Sequence, residues 1–243
     1  GVSGSGKSTL IQNILLPAIS SALGDKTNSS RNLKNINGYE SFSEIVNIDQ
    51  SPLSKTSRSN PVLYVGAFDE IRRLFSNTDE AKNRSYSTSH FSFNTGNGRC
   101  PECSGHGYEK IEMQFLSDVF LTCTECNGKR YRKEILQIKL KGYSIYGILN
   151  MTISEACSFF KDQKKLIAKL STLRSVGLGY LKLGQPLNTL SGGESQRLKI
   201  AGHLSKSKSN SYKSEKENKF KKSLFLFDEP TTGLHLHDIK ILL

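Results

Sequence analysis

The sequence predicts an α/β fold, a mixed sheet core flanked by helices, with a cysteine-bearing module and a helical subdomain inserted into it. Three observations predict it. A glycine-rich loop at residues 1–8 runs directly into the helix-like stretch 9–23. Two β-favouring apolar runs, 45–48 and 224–227, lead into Asp49-Gln50 and Asp228-Glu229. Between those runs lie two C-x2-C pairs, far apart enough to form a module of their own.

The remaining elements follow in chain order. Pro17 is expected to kink or end the first helix. Residues 25–37 are polar loop, and 51–61, rich in Ser, Pro and Lys, are an exposed connection. Residues 62–75 read as a short apolar element and a helix. Residues 135–140 alternate like a strand, and 152–173 carry one helical period. A further helix is expected at 191–204. Residues 206–222 are low-complexity Lys/Ser/Asn, the composition of a disordered insertion. The division this implies is an N-terminal core part at 1–75, a metal module at 76–150 and a helical subdomain at 151–205. The insertion at 206–222 and a closing core part at 223–243 complete it. There is no internal repeat.

Composition narrows the class. The chain has 243 residues, 36% hydrophobic and 23% charged, which suits a soluble globular protein and not a disordered chain. No apolar run reaches the ~18–20 residues of a membrane span, and there is no signal peptide. No membrane partner is expected. Gly1 already lies inside a motif, so the chain reads as an internal piece of a longer protein. Of the net charge of +12, the seven lysines and two glutamates of 206–222 supply +5, and the other +7 is spread thinly. Charge alone leaves a polyanionic partner and a solvated basic surface equally open.

Residues 1–8 satisfy G-x-x-x-x-G-K-[ST] in full. Gly1, Gly4 and Gly6 let the backbone wrap a phosphate with its amides turned inward, together with Ser3, Ser5 and Thr9. The helix that begins there adds positive potential. Lys7 reaches the β- and γ-phosphates of ATP, and Ser8 ligates Mg²⁺.

Leu190-Ser191-Gly192-Gly193-Glu194-Ser195-Gln196 has the form of the signature of ATP-binding-cassette (ABC) proteins and lies, as theirs does, between the phosphate loop and the acidic strand end. Locally it is a capping box, Ser191 with Glu194 three residues on. The functional reading needs that same cap, because helix-start amides must face a γ-phosphate. At the strand end, Asp228 holds Mg²⁺ and Glu229 polarises the attacking water as general base. Gln50, after a strand and before a Ser/Pro loop, occupies the place of the cassette's Q-loop glutamine. His235 and His237 lie too near Glu229 to be the switch histidine and read as surface or interface residues.

Cys100, Cys103, Cys123 and Cys126 form C-x2-C-x19-C-x2-C, a strong zinc spacing. Gly105, Gly107 and Gly128 permit tight knuckles. His106 is a loop residue beside a site already filled by four thiolates. Cys157, within a helical stretch, is a small buried apolar residue. The run Cys-x-x-Cys-x-Gly-x-Gly also resembles the knuckles of J-domain co-chaperones, but those carry four such repeats and no ABC motifs.

An ABC cassette with four cysteines between Q-loop and signature resembles the UvrA family, the damage-recognition subunits of bacterial UvrABC excinuclease, and within it the second cassette. The matching stretches include GVSGSGKSTL at 1–10, IDQSP at 48–52, RSNP at 58–61, FSFN at 91–94, GKRY at 128–131, LGYLKLGQPLNTLSGGESQRLKIA at 178–201 and FDEPTTGLHLHD at 227–238. The resemblance implies a cytoplasmic, homodimeric ATPase of nucleotide excision repair and the SOS response. It implies two cassettes per chain that scan duplex DNA and load UvrB without cutting. Lys7, Ser8, Gln50, Asp228 and Glu229 then serve one nucleotide, and Ser191, Gly192, Gly193 and Glu194 the nucleotide of the other cassette. The hairpin between the ligand pairs lies near DNA in that family. Lys129, Arg130, Arg132 and Lys133 are the candidate phosphate contacts, or equally a solvated strand end. A transport ATPase is the alternative, and it predicts no zinc. A zinc-containing DNA-binding module with a degenerate cassette is a further alternative, opposed by the intact Lys7, Asp228 and Glu229.

Overall fold

The structure, a computed structural model, describes residues 4–24, 35–49, 51–53, 56, 58–113, 118–211 and 222–227. A π-helical stretch, Thr9–Leu15, continues into α1, Leu16–Ala22. Pro17 sits just after the change from π-helical to α-helical turns, and the helix runs on past it to Ala22 and so does not end there. β1, Glu44–Ile48, follows. Next come α2, Pro61–Tyr64, α3, Phe68–Ser76, and α4, Asp79–Asn83. The cysteine module carries the hairpin β2, Tyr108–Ile111, and β3, Val119–Thr122. Then come α5, Lys133–Gln137, α6, Ile145–Leu149, α7, Ile153–Phe159, and α8, Lys164–Ser175. The chain closes with α9, Gly192–Ser211, and β4, Ser223–Phe227.

Three further sequence expectations are corrected. The alternating run 135–140 begins inside α5 and is not a strand: Ile135 and Ile138, three apart, both face the core. The single helix expected over 152–173 is two. Thr152 and Glu155 form a capping box that starts α7, and Phe160–Gln163 breaks the helix, with Gln163 N–H bonded back to the Phe160 carbonyl. The signature helix also outruns its expected end, continuing to Ser211 within the segment whose composition suggests an insertion.

Among the described residues the core sheet is a parallel pair. β1 and β4, far apart in sequence, align Glu44 with Ser223 through Ile48 with Phe227. One apolar core runs from Val62 to Ala201. Phe68, Ile71 and Phe75 of α3 meet Phe91 and Phe93, with ring centroids 5.3 Å apart in the pairs Phe68–Phe93 and Phe75–Phe91. Each such ring removed from water contributes about 1.5–3 kcal/mol. Tyr131 is enclosed beside Phe93, and its hydroxyl donates to the Phe91 carbonyl at 3.0 Å, so its polar tip is satisfied. That core joins the base of the cysteine module to the helices carrying the signature. Among the described residues, no helix is long and apolar enough to cross a membrane.

Candidate nucleotide and metal sites

The phosphate loop enters its helix through two left-handed glycines. Gly4 and Gly6 both have φ +81, and neither Cβ would meet a neighbour, so glycine is needed there for its backbone angle and not for space. Lys7 is half-buried, while Ser8 and Thr9 are exposed at the helix start. π-helical turns such as Thr9–Leu15 recur at functional sites. The loop helix is tied to the sheet by Asn47, whose Nδ2 donates to Gln12 Oε1 at 3.3 Å. Gly1 and Ser3 lie outside the described residues.

Parallel pairing brings β1 and β4 to a common end at Ile48 and Phe227. These residues immediately precede Asp49-Gln50 and Asp228-Glu229 in sequence. Gln50, Asp228 and Glu229 themselves lie outside the described residues, as do His235 and His237.

The signature helix starts as its sequence requires. Glu194 accepts from the Ser191 N–H at 2.7 Å and returns its own N–H to Ser191 Oγ at 3.3 Å. Gly193 is buried beneath this turn. Tyr180 adds a clamp, its hydroxyl donating to Glu194 at 2.7 Å while Arg197 donates to the Tyr180 oxygen at 3.3 Å. Burial raises the Glu194 pKa, but hydrogen bonds from Tyr180 and Ser191 outweigh it and leave the carboxyl below its usual value. Burial and the bond to Glu194 push the Tyr180 phenol up to about 12.

The next turns of α9 grip the end of β1, a contact not read from the sequence. Gln196 Nε2 donates to the Ile48 carbonyl at 3.2 Å. Lys199 Nζ donates to the Asp49 carbonyl and to Ser51 Oγ, both at 2.9 Å, and pairs with the Asp49 carboxylate. The residues on either side of Gln50 are therefore held by the signature helix. Gln196 and Lys199 stand three apart on one helical face, a legible pattern, but their partners are about 150 residues away in sequence.

The four predicted metal ligands converge. Cys100, Cys103, Cys123 and Cys126 are buried, and their sulfurs all lie within 4.8 Å of one another. Sγ separations of 3.9 Å for Cys100–Cys123 and 3.6 Å for Cys103–Cys126 match the spacing of sulfurs bound ~2.3 Å from one tetrahedral zinc, about 3.8 Å. Gly107 N–H donates to Cys103 Sγ at 3.2 Å and Cys123 N–H to the Gly107 carbonyl at 3.1 Å, so the knuckles are mutually braced. Gly107, at φ +84, admits no side chain: a Cβ would stand 2.9 Å from the Gly128 carbonyl oxygen. Burial pushes the Cys126 thiol up to about 12, so unligated that thiol would be protonated, whereas a cation would draw off its proton. The donor set fits zinc. His106 is not among the converging groups, and Cys157 is a buried helical residue, both as read from sequence.

The four candidate DNA contacts separate into two kinds. Lys129, Arg132 and Lys133 are exposed, and Lys133 pairs with Glu125 at 3.3 Å. Arg130 instead adopts φ +69 and lies half-buried over the Phe93 ring, 5.2 Å from its centroid. In the hairpin, Lys110 is held by Glu112 and Asp118, each at 2.9 Å. Ile111, Val119, Phe120 and Leu121 are exposed there.

No protein-family model matches the chain. It is 51% identical over 239 residues to UvrABC system protein A of Clostridium perfringens, covering 98% of the chain and 24% of that protein. It is 50% identical over 243 residues to the same-named protein of Clostridium tetani, covering 100% of the chain and 25% of that protein. The crystal structure of UvrA2 from Deinococcus radiodurans superposes with a TM-score of 0.82 at 41% identity, over 100% of this chain and 28% of that one. The chain thus spans about a quarter of the length of the relatives it matches.

Proposed function

Homologous from end to end to one segment of UvrABC system protein A, this chain, we propose, is the second nucleotide-binding cassette of an ATP-driven DNA-damage-recognition protein of bacterial nucleotide excision repair. The observation that carries the reading is the combination of an ABC-type phosphate loop and signature helix with a four-cysteine centre built into the same core. The superposition on UvrA2 supports the P-loop ABC fold.

In this reading Lys7 and Ser8, with Thr9 and the loop amides of Gly1–Gly6, hold ATP and Mg²⁺. Gln50 and Asp228 complete the metal sphere, and Glu229 orients the attacking water. Ser191, Gly192, Gly193 and Glu194 face the nucleotide of the other cassette. Two jobs fall to residues the structure describes: the capped start of α9 presents amides to phosphate, and Lys199 fixes the strand end leading to Gln50. Zinc bound by Cys100, Cys103, Cys123 and Cys126 would serve structure, closing the module that carries the hairpin. Lys129, Arg132 and Lys133 offer exposed charge to duplex DNA. Homodimerisation, delivery of UvrB and a cytoplasmic site of action belong to the same proposal, as does the division into core parts, zinc module, helical subdomain and insertion. A transport ATPase is not favoured, because its coupling surface has no use for a four-cysteine centre.

The test is ATP turnover by the full-length protein with damaged and undamaged duplex. Damaged duplex is expected to alter the wild-type rate, and Glu229→Gln to abolish turnover while ATP still binds. Wild-type turnover by Glu229→Gln would refute the catalytic assignment.

A further inference from the structure

Where the cysteine module meets the helical subdomain, a cleft of ≈430 Å³ opens, lined in part by Gly128, Arg130, Tyr146, Asn150, Lys182 and Gln185. Its lining contains two cations and no carboxylate. That volume falls in the ~300–1,000 Å³ range of small-molecule sites.

The walls are fixed from both sides. On the module side, Arg130 sits at φ +69, its carbonyl accepts from Cys100 N–H at 2.9 Å, and its guanidinium rests on Phe93. On the helical side, Lys182 bridges Thr152 through its backbone and accepts from Gln185 N–H at 3.1 Å. Gly184 N–H donates to the Leu149 carbonyl at 2.8 Å, and a Cβ there would stand only 3.0 Å from that same oxygen.

Among the described residues neither Arg130 nor Lys182 has an acidic side chain in ion-pair range. The half-buried guanidinium has thiol and phenol groups around it, Cys103 and Tyr131 among them, but no carboxylate, so an anion in the cleft would add a counter-charge. The amides beside it also have capacity to spare. Asn150 Nδ2 donates to the Tyr146 carbonyl at 3.0 Å and Gln185 Nε2 to Thr189 Oγ1 at 3.4 Å, and each amide nitrogen carries a second N–H. Residues bearing a planar guanidinium, an ammonium and two amides line one cleft, a donor set that suits a tetrahedral oxyanion.

We propose that this cleft binds a phosphate group, held by Arg130 and Lys182 with Asn150 and Gln185 as neutral donors. Its chemistry serves either a backbone phosphodiester or a free phosphate. The first source rests on the DNA-binding reading above, and the exposed Lys129 and Arg132 flanking Arg130 in sequence favour it.

Two titrations test the cleft, each on wild type, Lys182→Gln and Arg130→Gln. One uses a fluorescein-labelled duplex over a salt series. The other follows inorganic phosphate by ³¹P NMR in a Lys7→Ala background, which silences the phosphate loop. Lys182 is exposed, so its variant folds, and zinc content reports whether Arg130→Gln keeps the knuckle. The expected result is several-fold weaker duplex binding for each variant, with the salt slope shallower by about 1 per cation lost. Unchanged duplex binding with lost phosphate binding assigns the cleft to a free phosphate. Wild-type affinities in both titrations for Lys182→Gln overturn the proposal, as does an Arg130→Gln effect that only tracks zinc loss. A wild type that binds no duplex refutes the DNA reading, and the phosphate titration still decides the cleft.

Discussion

The cysteine module and the edge proposed to bind nucleotide are held together by different physics. The module is local: its ligands fall within 100–126, its knuckles brace one another, and its hairpin has no core of its own, since every residue of β3 is exposed. The nucleotide edge is assembled from afar. β1 and β4 come from opposite ends of the described chain, and α9 pins their edge through Gln196 and Lys199. A metal can close the first without help from the rest of the fold, whereas the second exists only when the whole core is formed. The two regions should therefore fail separately.

The largest separation is expected from Cys123→Ser. Structural zinc contributes about 10–16 kcal/mol of apparent binding free energy in small zinc domains, so losing one ligand should remove the ion and most of the module's order. Hydrogen exchange should show β2–β3 deprotected while β1–β4 stays protected. Equal loss in both regions would break the comparison.

Lys199→Ala should do the reverse. Zinc content stays at the wild-type level, stability falls by about 1–3 kcal/mol from unsatisfied partners, and ATP turnover by the full-length protein drops more than ATP affinity. Acid titration sharpens the point. Burial raises the Asp49 pKa, but hydrogen bonds from Lys199 and Ser51 overcome it and leave the carboxyl below its usual value. A depressed folded pKa gives stability that is present above the unfolded value, about 3.9, and is lost as pH falls through the folded pKa. Asp49→Asn should thus be less stable than wild type at pH 7, with the gap closing below about pH 4. A gap that persists there would show that Asp49 acts through its hydrogen bonds to Ser51 and not its charge, and no gap at pH 7 would show that Lys199 holds β1 only through the backbone carbonyl.

Tyr180→Phe is the smallest change, about 1–2 kcal/mol from two hydrogen bonds. It should slightly loosen the start of α9, measured by thermal melting, with no effect on zinc. A shift of several kcal/mol would make the Glu194 clamp a larger element of the fold than its two bonds imply.

The same contrast governs what could be read from the chain. Local chemistry was legible: the cysteine spacing, the Ser191–Glu194 cap, and the strand-like runs that became β1 and β4. Misread elements were those whose pattern is decided by packing. Leu136, Ile138 and Leu140 alternate with Gln137 and Lys139, as a strand requires, yet the spacing of three between Ile135 and Ile138 also fits a helical turn against the core, and the core prevailed. The break between α7 and α8 carries no proline or glycine, and Gln163 before α8 makes no side-chain cap that would announce it. Lys199 looked like any surface lysine, because its partner Asp49 is brought to it by the sheet. Arg130 looked like its exposed neighbours until its left-handed backbone turned it onto Phe93.

The measurement that tests the account most directly is zinc per chain in the purified protein, by atomic emission. One zinc per chain is predicted. A value well below one, in protein whose β1–β4 edge is folded, would contradict a metal-closed module and with it the assignment of this cassette to DNA-damage recognition.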